Sequence, residues 1–203
     1  MKNYKKNFEI LKKNHVYSEE MEHDACGVGL IASTEGKKSR KVVEYGIEAL
    51  KAVWHRGAVD ADGKTGDGAG IHVEIPKDFF IEKIEVTGHI HDNSEICVGM
   101  IFLPRNDYAA QESCKTIVES ELTKNDFSIY GWRQVPVNPK VLGEKAFQTM
   151  PEIIQVLFKS NNPELLNKDL ERKIYETRRI IENKAFKISL NNFYICSLSS
   201  KSI

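Results

Sequence analysis

Four apolar runs of strand length recur from residue 95 onwards, and no other feature constrains the fold as tightly. They read EICVGMIFLP (95–104), FSIYGWRQVPV (127–137), EIIQVLFKS (152–160) and NFYICSLSS (192–200). The longest plain apolar run falls far short of the roughly 20 residues a membrane-spanning helix takes, so these segments read as sheet strands. The first two flank NDYAAQESCKTIVESELTKN (106–125), an amphipathic helical stretch with Asn106 as its cap. The last two flank a long charged helix, NPELLNKDLERKIYETRRIIENKA (162–185). Strands that follow one another this closely can pair antiparallel, and the interleaved helices must cover them. The fold-level reading is therefore a layered architecture, α+β or α/β.

The first third of the chain is more polar. Residues 1–25 form a leader without an apolar stretch of secretory-signal type. It is lysine-rich, but Glu9, Glu19, Glu20 and Glu22 disfavour an organellar transit peptide. The leader reads as polar and aperiodic up to about residue 24. CGVGLIAS (26–33) reads as a short strand. In SRKVVEYGIEALKAVWHRG (39–57), Val43, Gly46, Ile47, Leu50 and Trp54 fall at helical spacing, with Ser39 as N-cap and Gly57 as the stop. AVDADGKTGDGAG (58–70) is a glycine- and aspartate-rich loop. IHVEI (71–75) is a strand, and PKDFFIEKI a short helix with Pro76 at its first position. There is no internal repeat and no low-complexity linker. The sequence stops three residues after its last strand, as a truncated domain would.

Lysine plus arginine equals aspartate plus glutamate, 29 of each, so no charge surplus points to nucleic acid or an anionic membrane. The four cysteines, Cys26, Cys97, Cys114 and Cys196, form no CxxC pair and no Cys/His ligand set. No metal site is signalled. Cys97, Cys114 and Cys196 read as buried, inert thiols, and a reducing cytoplasm is the expected compartment.

Three motifs invite chemistry. GKT at 63–65 resembles the end of a P-loop, but that motif needs a glycine where Ala58 stands, and a strand before it with a helix after. Here the order is reversed, and nucleotide binding is rejected. The loop 58–70 then reads either as a flexible surface loop or as backbone passing close to an active site. His89 and His91 share a face if extended, but two histidines without a third ligand read as a surface loop. Arg56, in HRGA (55–58), either points from a helix end toward a site or is a solvated arginine favoured by the helix dipole.

Cys26 carries the sharpest alternative. It is either a small core residue or a nucleophile. A thiol attacks a carbonyl as thiolate, and its ordinary pKa is about 8.5. Removal of residues 1–25 would give Cys26 a free α-amine with a pKa of about 7.7–8.0, able to act as the nucleophile's own base. Gly27 would let substrate approach the backbone closely. The leader would then be a propeptide.

DACGVGLIA, then HRGA, then TGDGAGIHVEIP, with GWRQVPVN (131–138) and FYICSLSS (193–200), together resemble the glutaminase domain of glutamate synthases. That domain is a class II glutamine amidotransferase of the N-terminal-nucleophile type. The resemblance covers roughly residues 22–203. It implies a four-layer α/β/β/α sandwich, incomplete at its C-terminal side, with domain limits 1–25 (propeptide) and 26–203. It implies Cys26 as the catalytic N-terminal cysteine, and Arg56, with His55 and Gly57, organising the nucleophile's end of the site. Gly27 and the segment carrying Gly66, Asp67, Gly68 and Gly70 take supporting roles. L-Glutamine is the implied substrate. FMN and an iron–sulfur cluster are implied for the full-length enzyme and not for this chain. The implied partners are downstream synthase domains and a small subunit or ferredoxin. The family's oxyanion-hole Asn-Gly pair has no counterpart here, since the chain contains no Asn-Gly dipeptide. The isolated 203 residues are thus expected to be inactive or poorly folded. Two other readings stay open: an N-terminal-nucleophile hydrolase of another amide, and a non-catalytic domain.

Overall fold

The computed structural model describes residues 2–14, 27–54, 57–190 and 192–203, in two compact units, 1–58 and 59–203. Cys26, His55 and Arg56 lie outside the described residues.

In the first unit, α1 (Lys2–Asn14) occupies half of the leader, where the sequence reading saw no period. Propensity accounts for it: lysine, glutamate and leucine lose little side-chain freedom in a helix, and no glycine or proline interrupts the run. Lys12 also lies over the Phe8 ring, 4.9 Å from its centroid, one turn away. Where it is described, the expected strand over 26–33 does not form: residues 27–33 belong to no strand, with Val28 94% and Leu30 89% exposed. A β-strand exists only through its neighbour's ladder, and none of the described ladders includes this segment. Helix α2 (Arg40–Ala52) begins as expected, Ser39 Oγ accepting from Lys41 N at 3.2 Å. It ends before Trp54, which is exposed, so the helix is shorter than the apolar spacing predicts. Val43, Gly46, Ile47 and Leu50 make up a half-buried stripe.

The second unit is built on one four-stranded antiparallel sheet: β1 (Cys97–Leu103), β2 (Phe127–Gln134), β3 (Glu152–Ser160) and β4 (Tyr194–Ser199), in the order β2-β3-β1-β4. Side chains alternate across it. On one face, Ile101, Val156, Phe158 and Leu198 are covered by α4 (Tyr108–Lys124) and α6 (Asn167–Lys187). Leu170, Ile174, Ile181 and Ala185 of α6 are buried at helical spacing, and so are Cys114, Val118 and Leu122 of α4. Truncating one such residue, Ile174 for example, costs about 2–5 kcal/mol. Glu121 of α4 is buried between the helices and accepts from Lys184 of α6 at 2.6 Å and from Lys124 at 3.1 Å. These ammonium groups hold its carboxyl below the ordinary value. The cap of α4 is Asp107, not Asn106, its carboxylate accepting from Ala110 N at 2.9 Å.

The opposite face carries a smaller core. Val98, Tyr130 and Leu157 pack with Ile75, Ile96 and with Phe80 and Ile84 of α3 (Lys77–Val86). Pro76 caps α3 rather than occupying its first turn, one residue earlier than expected. A further helix, α5 (Glu144–Thr149), was not foreseen; a six-residue helix after a proline-rich approach is too short to show a period. Two bulges bend the edges. Tyr130 is the extra residue where β2 meets β3, and Cys196 where β4 meets β1. The α+β class is thus observed. Of the four implied layers, the described residues form one sheet and its helical cover, not two sheets. Residues 71–75, the other expected strand, pair with residues 201–203: Val73 and Ile203 exchange backbone bonds at 2.9 and 2.8 Å, and Ile75 N reaches Lys201 O at 3.0 Å.

Candidate functional site

Within the loop 58–70, residues 59–66 close on themselves as a short hairpin. Val59 and Gly66 face each other in an antiparallel bridge, and Asp60 N donates to Thr65 O at 2.7 Å. Gly63 N donates back to Asp60 O at 2.9 Å, with Gly63 at φ +68°, a conformation glycine adopts without steric cost. The centre of this hairpin is Asp62. Its Oδ1 accepts from Lys64 N (2.9 Å) and Thr65 N (2.7 Å). Its Oδ2 accepts from the Thr65 hydroxyl (2.6 Å) and from Glu144 N (3.0 Å), at the start of α5. The Thr65 bonds, more than any other cause, hold this carboxyl well below the usual carboxylate range. Thr65 is committed to Asp62, which fits the rejection of a P-loop.

Two proposed site residues follow this hairpin directly. Asp67 and Gly68 are exposed and continue into the segment that Val73 and Ile75 pin to residues 201–203. Gly68 and Gly70 have neither a positive φ nor any atom within 4 Å of where a Cβ would stand. Of the other site residues, Gly27 and Gly57 belong to the first unit and are exposed; Gly57 N donates to Trp54 O at 2.9 Å. Cys26, His55 and Arg56, the residues with the most pointed chemistry, are among those the structure does not describe.

Among the described residues no group of three or more His, Cys, Asp or Glu side chains is arranged to hold a metal ion. His89 and His91 flank Tyr130 instead. His89 Nδ1 meets the Thr87 hydroxyl at 2.9 Å, and His91 Nε2 meets Ser94 O at 3.0 Å. Asp92, paired with Lys159, and Ser94 complete a polar cluster at the Tyr130 hydroxyl. The remaining thiols differ from one another. Burial pushes the Cys97 thiol up, and Cys114 up to about 11. Cys196 is exposed, contrary to its expected burial, because it is the extra residue of the β4 bulge. Cys97, Cys114 and Cys196 are not grouped as an iron–sulfur ligand set would require. A groove of about 780 Å³ runs between the end of β1, residues 148–151 and residues 192–194. Neither Asp67 nor Gly68 lines it.

Sequence reasoning missed Asp62 and its seat at Gly143. The D-x-x-T spacing of Asp62 and Thr65 is a local signal for a side chain that caps its own turn. The long-range bond to Glu144 leaves no sequence trace.

Residues 26–203 match the family of class II glutamine amidotransferases, and the chain belongs to that family. It is 52% identical over 200 residues to the glutamate synthase [NADPH] large chain of Azospirillum brasilense, an alignment covering 98% of this chain and 13% of that protein. It is 39% identical over 202 residues to the ferredoxin-dependent glutamate synthase of Pyropia yezoensis, covering 96% of this chain and 12% of that protein. Over 200 residues it is 37% identical to the chloroplastic ferredoxin-dependent glutamate synthase 2 of Arabidopsis thaliana, covering 97% and 12%. The chain thus spans about one-eighth of the length of these curated relatives. No helix among the described residues is long and apolar enough to cross a membrane.

Proposed function

We propose that this chain supplies the glutaminase part of a glutamate synthase and hydrolyses L-glutamine with Cys26 as an N-terminal nucleophile. The observation that carries this reading is that the family match begins at Cys26 itself. Removal of residues 1–25 gives Cys26 an α-amine with a pKa of about 7.7–8.0. That amine takes the thiol proton, and the sulfur attacks the side-chain carboxamide carbon. The tetrahedral adduct collapses as the C–N bond breaks, the leaving nitrogen takes the proton, and ammonia departs from a γ-glutamyl thioester. Water, deprotonated by the same amine, then attacks the thioester, releasing glutamate and restoring the thiol. Arg56, with His55 and Gly57, organises the nucleophile's end of the site; Gly27 allows close approach of substrate. Asp67 and Gly68 keep the supporting role assigned by resemblance, and the open space over Gly68 supports it.

The oxyanion donors and the clamp for the glutamine α-groups are assigned to sequence outside these residues. FMN, the iron–sulfur cluster and the electron donor, nicotinamide or ferredoxin, belong to other domains and subunits of the full enzyme. There the released ammonia would condense with 2-oxoglutarate, losing water, and two electrons from that donor would reduce the imine to glutamate, in the cytoplasm. The test is Cys26→Ala in the full-length enzyme. Glutamine-dependent activity is abolished while ammonia-dependent activity is spared; glutamine hydrolysis by the variant would refute the assignment.

A further inference from the structure

Asp62 is an exposed carboxylate with four hydrogen-bond donors on it, and one of them comes from 82 residues away. Three of the four bonds close the local turn. The fourth, from Glu144 N, fastens that turn to the start of α5. A second link runs beside it, the ion pair of Lys145 with Asp60 at 2.5 Å. The contact is close enough to dictate the residue opposite. A Cβ on Gly143 would fall inside contact distance of Thr65 N, Thr65 Oγ1 and Asp62 Oδ2. Gly143 has an ordinary extended φ of −72°, so its smallness, not its backbone freedom, is what this junction uses. The hairpin's second leg ends at Gly66 and passes straight into Asp67–Gly70. Downstream, the same segment is tied by the Val73–Ile203 and Ile75–Lys201 bonds. Asp67–Gly70 is therefore a short span held at both ends, with open space above its glycines.

We propose that Asp62 and Gly143 form a positioning junction for glutamine hydrolysis, holding the Asp67–Gly70 span in the place the reaction needs. This rests on the supporting role given above to Asp67 and Gly68. The junction acts through that span and does not itself touch substrate. A merely local role for Asp62, closing its own turn, predicts something different, and Asp62→Asn separates the two. Asparagine keeps Oδ1 for Lys64 N and Thr65 N, and the Thr65 hydroxyl can reverse to accept from the new amide. The Glu144 N–H, facing another donor, loses its partner. The turn survives and the anchor to α5 is cut.

The experiment uses the full-length enzyme with Asp62→Asn, Gly143→Ala and Cys26→Ala. It reads glutamine-dependent rate, ammonia-dependent rate, and the rate at which a diazo-ketone analogue of glutamine labels Cys26. Asp62→Asn is expected to lower kcat/KM for glutamine about tenfold, equivalent to about 1.4 kcal/mol, because small misplacement of a site element is costly. Labelling of Cys26 slows in proportion, and the ammonia-dependent rate is unchanged. Gly143→Ala, which prises the junction apart with Asp62 intact, must reproduce the same pattern. It also keeps the proposal testable if Asp62→Asn does not fold. An Asp62→Asn enzyme with normal glutamine kinetics beside an inactive Cys26→Ala enzyme overturns the junction alone. Equal loss of both activities makes Asp62 structural and overturns it too. Glutamine hydrolysis by Cys26→Ala overturns the underlying reading and the junction with it.

Discussion

Replacing Gly99 with alanine puts one methyl group into the main core where there is no room for it. Gly99 lies mid-strand in β1, between β3 and β4, paired with Val156 on one side and Leu198 on the other. An alanine Cβ there would stand inside contact distance of Leu198 Cδ1 and Val156 Cγ1. The two neighbours do not yield equally. Leu198 Cδ1 is the end of a side chain with two rotatable bonds, whereas Val156 is β-branched and stiff at χ1. The strain therefore falls on Val156. Overpacking of this kind costs about 1–3 kcal/mol, and for a chain of this size each kcal/mol moves the melting midpoint by about 2–4 °C. A fall of roughly 2–12 °C is expected in thermal unfolding. The fluorescence of Trp132, which packs against this core, is one probe of it. Val156→Ala in the same chain removes the opposing methyls, so the double variant should lose less than the two single losses added, by about 1 kcal/mol. An unchanged midpoint for Gly99→Ala, or simple additivity, would refute the packing argument.

Two further outcomes follow from the same core. In a Cys26→Ala background, an aromatic disulfide reagent should modify Cys196 in the folded protein, while Cys97 and Cys114 react only on unfolding; early loss of all three thiols would contradict their burial. Glu121 has its carboxyl lowered in the folded state by Lys184, then Lys124, against the opposing effect of burial. Its contribution is therefore present above the unfolded value of about 4.3 and is lost as pH falls through the lower folded one. Between pH 7 and pH 2.5 the wild type should lose more stability than Glu121→Gln, measured by denaturant titration, and equal losses would contradict the ion-pair account.

The sheet was legible because its strands are buried and bounded. β3 occupies the very residues, 152–160, that the apolar run marks out, and β1 lies inside 95–104. Helix α6, Asn167–Lys187, takes up most of the charged stretch 162–185 read as a helix. Local signals failed where the decisive partner is remote or where no burial face exists. CGVGLIAS has strand composition, yet 27–33 pairs with nothing described. Residues 2–14 read as aperiodic, yet they form a helix in which Tyr4, Phe8 and Leu11 recur at helical spacing. Cys196 has an apolar strand around it, and one bulge turns it outward. Asp62 reads as part of a loose glycine loop, and only the bond to Glu144 shows it to be an anchor. As for the site, Cys26 and Arg56 carry opposed readings in isolation. The order of CGVG, HRGA and GDGAG favours the catalytic reading only through the resemblance it carries, since a nucleophile's neighbours are assembled by the fold and not by spacing.

The most direct test of the account is the N-terminus of the native gene product, read by intact mass and terminal sequencing after purification from its own cells. The account predicts an active enzyme that begins at Cys26, with residues 1–25 removed and the diazo-ketone glutamine analogue attached to that cysteine. An enzyme that hydrolyses glutamine while retaining Met1 and its leader would contradict it.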